Sequence, residues 1–271
     1  MPPEAYDPQT YWTRLHRESS LRAVGQSGLP VPFNEHLYAI GRRNLLRFIR
    51  RYHLFDPPPA HVFDAGAGTG YWTALWLAMG AGEVDGCDLA ESAADRLRAD
   101  FPGRFTAGDI ADPGVVPATG SYELVTVMNV LLHIVDDDRF EAATRNLASA
   151  VAPGGAILLA EPVLTHTAER PLRPGASSRA RALDRYERAF GAAGLTLAAL
   201  APSTVVGSNP IERDGRRFGL YESIWRRTSR FAKTGPRRAA FAGRTLDVLD
   251  RVLIHTPAAP SGKFLLFRRP R

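Results

Sequence analysis

The sequence has a single cysteine in 271 residues, so no disulfide can form within the chain. Cys87 is expected to be a small buried hydrophobe in a strand, and without a disulfide framework a reducing cytoplasm is the simplest expected setting. No stretch reaches the ~18 consecutive apolar residues of a spanning helix, which excludes a transmembrane span. Residues 1–10 are polar and proline-containing, with no charged stretch leading into an apolar one, so no secretory signal is expected. The seven histidines show no ligand spacing with cysteine or acids, and no metal is expected. Lysine is almost missing: of 34 basic residues only Lys233 and Lys263 are lysines. There is no internal repeat and no low-complexity tract.

What is abundant is arginine, and it is unevenly spread. Residues 61–201 hold 11 arginines against 18 acids, whereas residues 202–271 hold 15 basic residues against five acids. Guanidinium groups suit bidentate contact with phosphate or carboxylate, but they serve equally as a solvated face. Basic and aromatic residues mix in Phe218, Tyr221, Trp225, Arg226, Arg227, Arg230 and Phe231, a composition that fits RNA, a lipid surface or an anionic small molecule. No RNA-binding module accompanies them, so nucleic acid is not the expected partner. A small-molecule acceptor, anionic character allowed, is preferred.

Periodicity divides the chain. Tyr11, Trp12 and Leu15, then Leu37, Ile40, Leu45, Phe48, Ile49 and Tyr52, fall at helical spacing, and Pro57-Pro58-Pro59 closes this region. From His61 short apolar strands alternate with amphipathic helices. Strands are expected at 62–63, 83–88, 104–107, 122–128, 156–160 and 195–200, with helices at 71–79, 91–101, 137–151 and 179–193. The Asp136-Asp137-Asp138 run is expected to cap the helix that follows it. Residues 216–233 and 241–255 read as two further helices, and 263–268 returns as a strand. The alternation implies a doubly wound, mostly parallel α/β sheet covered on both faces.

The strongest local signal is Asp64-Ala-Gly-Ala-Gly-Thr-Gly70 between a strand and a helix. Glycines let backbone turn sharply and approach a ligand closely, and free N–H groups at a helix start favour a polar or anionic group. Asp88 ends the next strand about 20 residues beyond the loop, where a carboxylate can take ribose hydroxyls. Asp109, in Ala107-Gly-Asp-Ile110, can accept from an adenine amine. All three acids are expected at the carboxyl edge of the sheet, where open α/β folds bind ligands.

On these residues, together with the strand leading to Met128-Asn129, Val130-Leu-Leu-His-Ile134 and Ala152-Pro-Gly-Gly155, the sequence resembles the class I S-adenosylmethionine (SAM)-dependent methyltransferases of small-molecule type. The resemblance covers roughly residues 61–201 and the final strand. It implies a Rossmann-like seven-stranded sheet with an antiparallel last strand. It implies SAM as cofactor, held by Asp64, Gly66, Gly68, Thr69, Gly70, Asp88, Leu89, Asp109, Ile110, Met128 and Asn129, with Tyr11 and Trp12 resembling an aromatic pair that closes over the cofactor. The implied reaction is O- or N-methylation of a small molecule in specialised metabolism.

The departure lies in the sixty residues between the last two strands, where many family members have a tight hairpin. The chain then reads as one domain: a helical cap at 1–59, a SAM-binding core at 60–201 and 262–271, and a helical lid at 202–261. The lid is expected over the carboxyl edge, with Trp225 or nearby aromatics facing a pocket. His133 is the expected general base, with His36, His166 and Glu161 as rivals. Two other readings stand beside this one. A nicotinamide dehydrogenase would show G-x-G-x-x-G rather than Gly66-x-Gly68-x-Gly70. A non-catalytic partner subunit, or a SAM-binding enzyme of other chemistry, would share the loop.

Overall fold

The computed structural model describes residues 6–18, 20–215, 217–256 and 259–271. Three helices come first: α1 (Pro8–Leu15), α2 (Leu21–Val24) and α3 (Val31–Arg51). Asp7 starts α1 by accepting from the Thr10 N–H, with Pro8 following it at the position where proline's missing donor costs nothing. The alternating part follows as β1 (His61–Ala65), α4 (Tyr71–Ala78), β2 (Glu83–Asp88), α5 (Glu91–Asp100), β3 (Phe105–Ala107) and β4 (Tyr122–Met128). A 3₁₀ turn at Leu131–His133 leads to α6 (Asp137–Ala150), β5 (Val151–Leu164), β6 (Arg181–Ala182), α7 (Leu183–Ala192) and β7 (Thr196–Pro202). Then come α8 (Phe218–Ala232), α9 (Pro236–Leu253) and β8 (Gly262–Arg268).

Seven strands run in the order β3-β2-β1-β4-β5-β8-β7, and the two-residue β6 pairs with the end of β5 off this path. The pairs from β3 through β5 are parallel, and β8 is antiparallel to both neighbours. The order reverses between β1 and β4, which opens a crevice at their carboxyl ends. Both faces of the sheet are buried, so neighbouring strand residues enter opposite cores. Phe63, Ile157, Leu159, Leu265 and Phe267 pack toward Phe140, Tyr186 and Phe190, while Val62, Leu158, Phe264 and Leu266 pack toward Phe48, Ile49 and Trp76.

Three elements depart furthest from the sequence reading. β5 begins at Val151 and passes through Pro153-Gly154-Gly155 instead of starting after it. Val151 pairs with Tyr122 and Ala156 with Leu124, so the Pro-Gly-Gly segment is absorbed as a register slip. The helix expected from 179 starts at Leu183, because Arg181 and Ala182 are held extended against Val163 and Leu164. The helix expected from 241 begins at Pro236, a residue preset for a first helical turn.

The 202–261 insertion leaves from the end of β7 and returns at the start of β8, both at the carboxyl edge. There α8 and α9 pack on the first half of α3 through Phe33, Ile40, Tyr221, Trp225, Ala239, Ala242 and Leu246. The second half of α3, with Leu45, Phe48 and Ile49, packs on the sheet. Trp225 therefore lies against Phe33 at a ring distance of 6.0 Å, inside a small core, and does not face a pocket as expected. Buried Asp250 ties this layer together. It accepts from Thr204 Oγ1 (2.7 Å), Val205 N (2.7 Å) and Asn44 Nδ2 (2.8 Å) and pairs with Arg43 (3.1 Å). No helix among the described residues is long and apolar enough to cross a membrane.

A second buried ion pair anchors the start of the insertion. Glu212 meets Lys263 Nζ at 2.9 Å and also accepts from the backbone of Thr165 (2.6 Å) and Thr167 (3.1 Å). Burial opposes the charge on Glu212, but the Thr165 bonds and the Lys263 ammonium outweigh it and hold its pKa down to about 2. The folded pKa lies below the unfolded one, so the native state releases the proton more readily. The contribution of Glu212 is then complete above the ordinary glutamate value of 4.5 and lost as pH falls toward about 2. Urea midpoints followed from neutral pH downward are expected to fall less in Glu212→Gln than in the unmodified chain across this window, and equal slopes refute the assignment.

Candidate active site

The loop between β1 and α4 holds Gly66, Gly68 and Gly70 at φ +70°, +60° and +75°, a region side chains rarely adopt. A Cβ at Gly68 would sit 2.8 Å from Val24 Cγ1, and one at Gly66 would strike Val130. Glycine is required because α2 and the segment after β4 close in on the loop. Four N–H groups of the loop itself are taken within the chain. Gly66 N and Ala67 N donate to the Cys87 carbonyl (2.9 and 3.0 Å), Gly70 N donates to Ala67 O (2.9 Å), and Gly68 N donates to Asp88 Oδ2 (2.9 Å). The loop contributes shape and closeness of approach.

The three acids of the strand ends have different fates. Asp88 accepts from Gly68 N and, through Oδ1, from Ala90 N at 2.9 Å. A carboxylate has about four acceptor positions, so capacity for two more donors remains. His16 Nε2 stands 3.8 Å from Asp88 Oδ1, and burial lowers the His16 pKa, toward the neutral form. Asp109 accepts from Ala111 N (2.8 Å) and pairs with Arg139 (2.8 Å), which also holds Asp112. Asp64 faces inward. It accepts from Thr73 Oγ1 (2.8 Å) and Thr126 Oγ1 (2.7 Å), joining β1 to α4 and β4, and burial pushes its pKa up to about 6.

One cavity lies at the carboxyl ends of β1 through β4, where the strand order reverses. Gly66, Gly68, Thr69, Asp88, Leu89, Asp109, Ile110, Met128, Asn129 and His133 all line it. Asp64, Gly70 and Tyr11 lie outside that lining. Gly70 is turned toward Phe101. Tyr11 is on the wrong side of α1, since the inward residues are Pro8, Trp12 and His16, spaced i, i+4, i+8. That spacing was visible in the sequence and identifies His16, which the sequence reading missed. Tyr6, Tyr38, Tyr71, Trp72 and Arg139 also line the cavity and were missed. Tyr38 stacks on Trp72 at 5.8 Å and meets Tyr71 edge-on at 4.8 Å, so three rings from two separate helices form one wall.

His133 is positioned by an irregular segment whose backbone is satisfied from two sides. Asn129 turns the chain with φ +61°. Buried Glu161 accepts from Val130 N and Leu131 N (both 2.8 Å) and Leu132 N (3.1 Å). Arg181, fully buried, donates to the carbonyls of Leu131 (3.3 Å), Ile134 (2.8 Å) and Asp136 (3.3 Å). His133 Nδ1 lies 2.6 Å from the Ser177 carbonyl. A carbonyl only accepts, so Nδ1 carries the hydrogen and Nε2 keeps a lone pair. The ring meets Trp12 edge-on at 4.8 Å, and burial lowers its pKa, keeping it neutral at pH 7. The rivals are elsewhere: Glu161 is beneath the turn with its pKa raised by burial to about 8, His36 lies against Gly243, and the His166 N–H is bound to Glu212. Among the described residues, none of the 202–261 insertion lines the cavity, and no group of three or more acids, histidines or cysteines is placed to hold a metal.

A family model described as a methyltransferase domain matches residues 62–155. A comparison with curated protein sequences gives no match. The fold is similar to that of a SAM-dependent methyltransferase from Leishmania major, with TM-score 0.57, 19% identity and 71% and 74% of the two chains covered. It is also similar to a 1,6-didemethyltoxoflavin N1-methyltransferase from Burkholderia thailandensis, solved with its substrate and S-adenosylhomocysteine (TM-score 0.52, 15% identity, 86% and 79% covered). A third similar structure is phosphoethanolamine N-methyltransferase 2 from Haemonchus contortus (TM-score 0.52, 17% identity, 85% and 53% covered).

The support under the His133 turn is directly testable. Glu161→Leu removes the acceptor from three N–H groups, buried at Leu131 and partly buried at Val130 and Leu132, each orphan costing about 1–3 kcal/mol where water cannot replace the carboxyl group. Amide exchange at Val130, Leu131 and Leu132 is expected to accelerate at least about tenfold relative to strands β1 and β4. Unchanged protection at these three amides refutes the clamp.

Proposed function

We propose that the chain is a class I, SAM-dependent methyltransferase, a reading supported by the methyltransferase-domain match over residues 62–155, and that it methylates an oxygen or nitrogen of a small, weakly polar acceptor. The observation that carries this reading is the tautomer of His133. Its Nδ1–H is bound to the Ser177 carbonyl, which leaves the Nε2 lone pair on a ring lining the same cavity as the glycine loop and Asp88.

The residues fit the cofactor. The loop at Gly66 and Gly68 is kept free of side chains where a Cβ would meet Val130 and Val24, and Asp88 retains acceptor capacity at the lip of the cavity. In this reading Asp88 holds the ribose hydroxyls, the loop and the Met128-Asn129 edge lie along the methionine and ribose portions, and Leu89 and Ile110 take the base. Asp109, already accepting from Ala111 N and paired with Arg139, keeps acceptor positions for the adenine amine and shares them with a guanidinium.

SAM supplies, when bound, an electrophilic methyl group on a sulfonium. The protein's part is to align the acceptor in line with that bond and keep water away. Trp12, Tyr38, Tyr71, Trp72 and Val130 enclose a mostly apolar space for it. Arg139, the one arginine lining the cavity among the described residues, is already paired with Asp109 and Asp112, so an uncharged acceptor fits better than an anionic one. A hydroxyl or ammonium acceptor must lose a proton, and neutral His133 is the group placed to take it through Nε2. A place in specialised metabolism and a cytoplasmic setting belong to the same proposal, resting on the small enclosed site and the single cysteine.

The reading is tested by S-adenosylhomocysteine release from SAM with a panel of phenols and aromatic amines. SAM binding with no release on any acceptor would favour a non-catalytic role. Asp88→Ala is expected to weaken SAM binding in calorimetry by about 1.5–3 kcal/mol, the scale of lost charge-assisted hydrogen bonds. His133→Ala is expected to lower turnover about 10²-fold with SAM affinity nearly unchanged. Only the neutral ring accepts a proton, and burial lowers its pKa. Turnover should therefore hold as pH falls to the ordinary histidine value of 6.5 and decline only below it. A His133→Ala enzyme at near-normal rate, or one with the same acid limb, overturns the assignment.

A further inference from the structure

The α8–α9 hairpin has an inner face packed on α3 and an outer face that none of the described residues covers. Three of the largest exposed apolar side chains of the described residues lie on that outer face of α9: Phe241, Val248 and Val252, at 67%, 55% and 69% exposure. They are spaced i, i+7 and i+11, one stripe of a helix, and lie opposite Ala239, Ala242 and Leu246, which face α3. On α8, Leu220 (57%) and Phe231 (42%) are likewise exposed and eleven residues apart. The rings of Phe231 and Phe241 meet at 6.3 Å beside the connecting turn. Leu220 and Val252 are each three turns away from that pair, at the open end of the hairpin. The two helices thus present one apolar strip along their common length.

The strip has a strongly basic border. Residues 217–253 contain nine arginines and lysines against three acids. Two of those acids are withdrawn: Asp250 is buried, and Asp247 is paired with Arg43 and Arg251. Glu222 is left as the outward acid among them. Arg226, Arg227, Arg230, Arg237 and Arg244 are exposed, and Arg238 lies over the Phe231 ring at 5.6 Å, its stem along the apolar surface and its charge at the rim.

We propose that this outer face docks on an anionic lipid surface, with the hairpin lying in the plane of the interface. An apolar strip flanked by arginines matches the layering of that surface, acyl chains below a sheet of negative headgroups. The border decides against the other occupants. In a symmetric dimer the same patch meets itself, which would press two arginine-rich rims together. A nucleic acid satisfies the arginines but gives Val248, Val252 and Leu220 nothing apolar to meet. This face is separate from the cavity, since no residue of either helix lines it.

The test is co-sedimentation of the full chain with phosphatidylcholine vesicles, with and without added phosphatidylglycerol. The expected result is binding to the anionic vesicles only, weakened at least about tenfold by raised salt. Both Phe241→Ser/Val252→Ser, which removes the apolar anchor, and Arg237→Glu/Arg238→Glu, which reverses the border, are expected to lose it. All four side chains are exposed, so each variant should keep the parent's melting temperature and SAM affinity. Failure to sediment with anionic vesicles overturns the proposal, as does binding that both variants retain. Self-association abolished by Phe241→Ser/Val252→Ser, without vesicle binding, assigns the face to a second copy and equally overturns it.

Discussion

The carboxyl group of Glu161, fully buried near the carboxyl end of β5 beneath the turn after β4, is the constraint on which the candidate site depends. The cavity needs the chain after β4 to turn away from the sheet, and that turn leaves three N–H groups without helix or strand partners. Glu161 accepts all three, and Arg181 donates to three carbonyls of the same segment. Burying a carboxyl group and a guanidinium is costly before compensation, and for Glu161 the cost shows as a pKa raised to about 8, so the arrangement is a poor source of stability. Its value is geometric. A single irregular loop is held from both sides, and His133 and Asn129 are fixed at the lip of the cavity. Arg181 reaches this position because β6 extends the sheet by two residues where the sequence suggested helix.

The same logic recurs wherever the chain is irregular at this edge. Glu212 with Lys263 joins the loop after β5 to the insertion and β8, and Asp250 with Arg43 and Asn44 joins the insertion to α3. The insertion is therefore fastened at its root by charges and along its length by apolar packing on α3. The same helix sends its far half into the sheet core. That division explains why the insertion does not close the cavity. Its apolar inner face is consumed by Phe33 and Ile40, and the closing surface comes instead from α1, Tyr38 and the start of α4.

Much of the sheet and of the cavity was legible because it depends on local pattern. Strand alternation, helix periodicity and the left-handed positions at Gly66, Gly68 and Gly70 are each written within a few consecutive residues. Asp88, Asp109, Asn129 and His133 were legible because parallel strands in a doubly wound sheet deliver their ends to one edge. What was not legible depends on contacts across the chain. Asp64 reads as a site acid until Thr126, 62 residues away, is seen to use its oxygen. Glu161 reads as a base until its three backbone donors are placed around it. Pro153-Gly154-Gly155 reads as a stop because its local propensity is that of a turn, yet strand pairing on both sides overrides it. His16 is legible in principle, through its spacing from Pro8 and Trp12, but the stripe of Tyr11, Trp12 and Leu15 draws attention to other positions of α1.

The distribution of charge follows from this division of labour. Acids dominate residues 61–201, where strand ends and capping positions need acceptors for backbone N–H groups, and Asp88, Asp109, Asp136 and Glu161 each take at least one. Carbonyls outside regular structure need donors, and an arginine with five N–H groups can serve several at once, as Arg181 does. Lysine, a compact point charge, occurs inside the fold only at Lys263, where three acceptors (Val163 O, Glu212 and Ser261 O) surround one ammonium. The arginines of α8 and α9 differ from these interior ones in having few acceptors within the chain. Their charge is directed outward, around a broad apolar surface that the described residues leave uncovered.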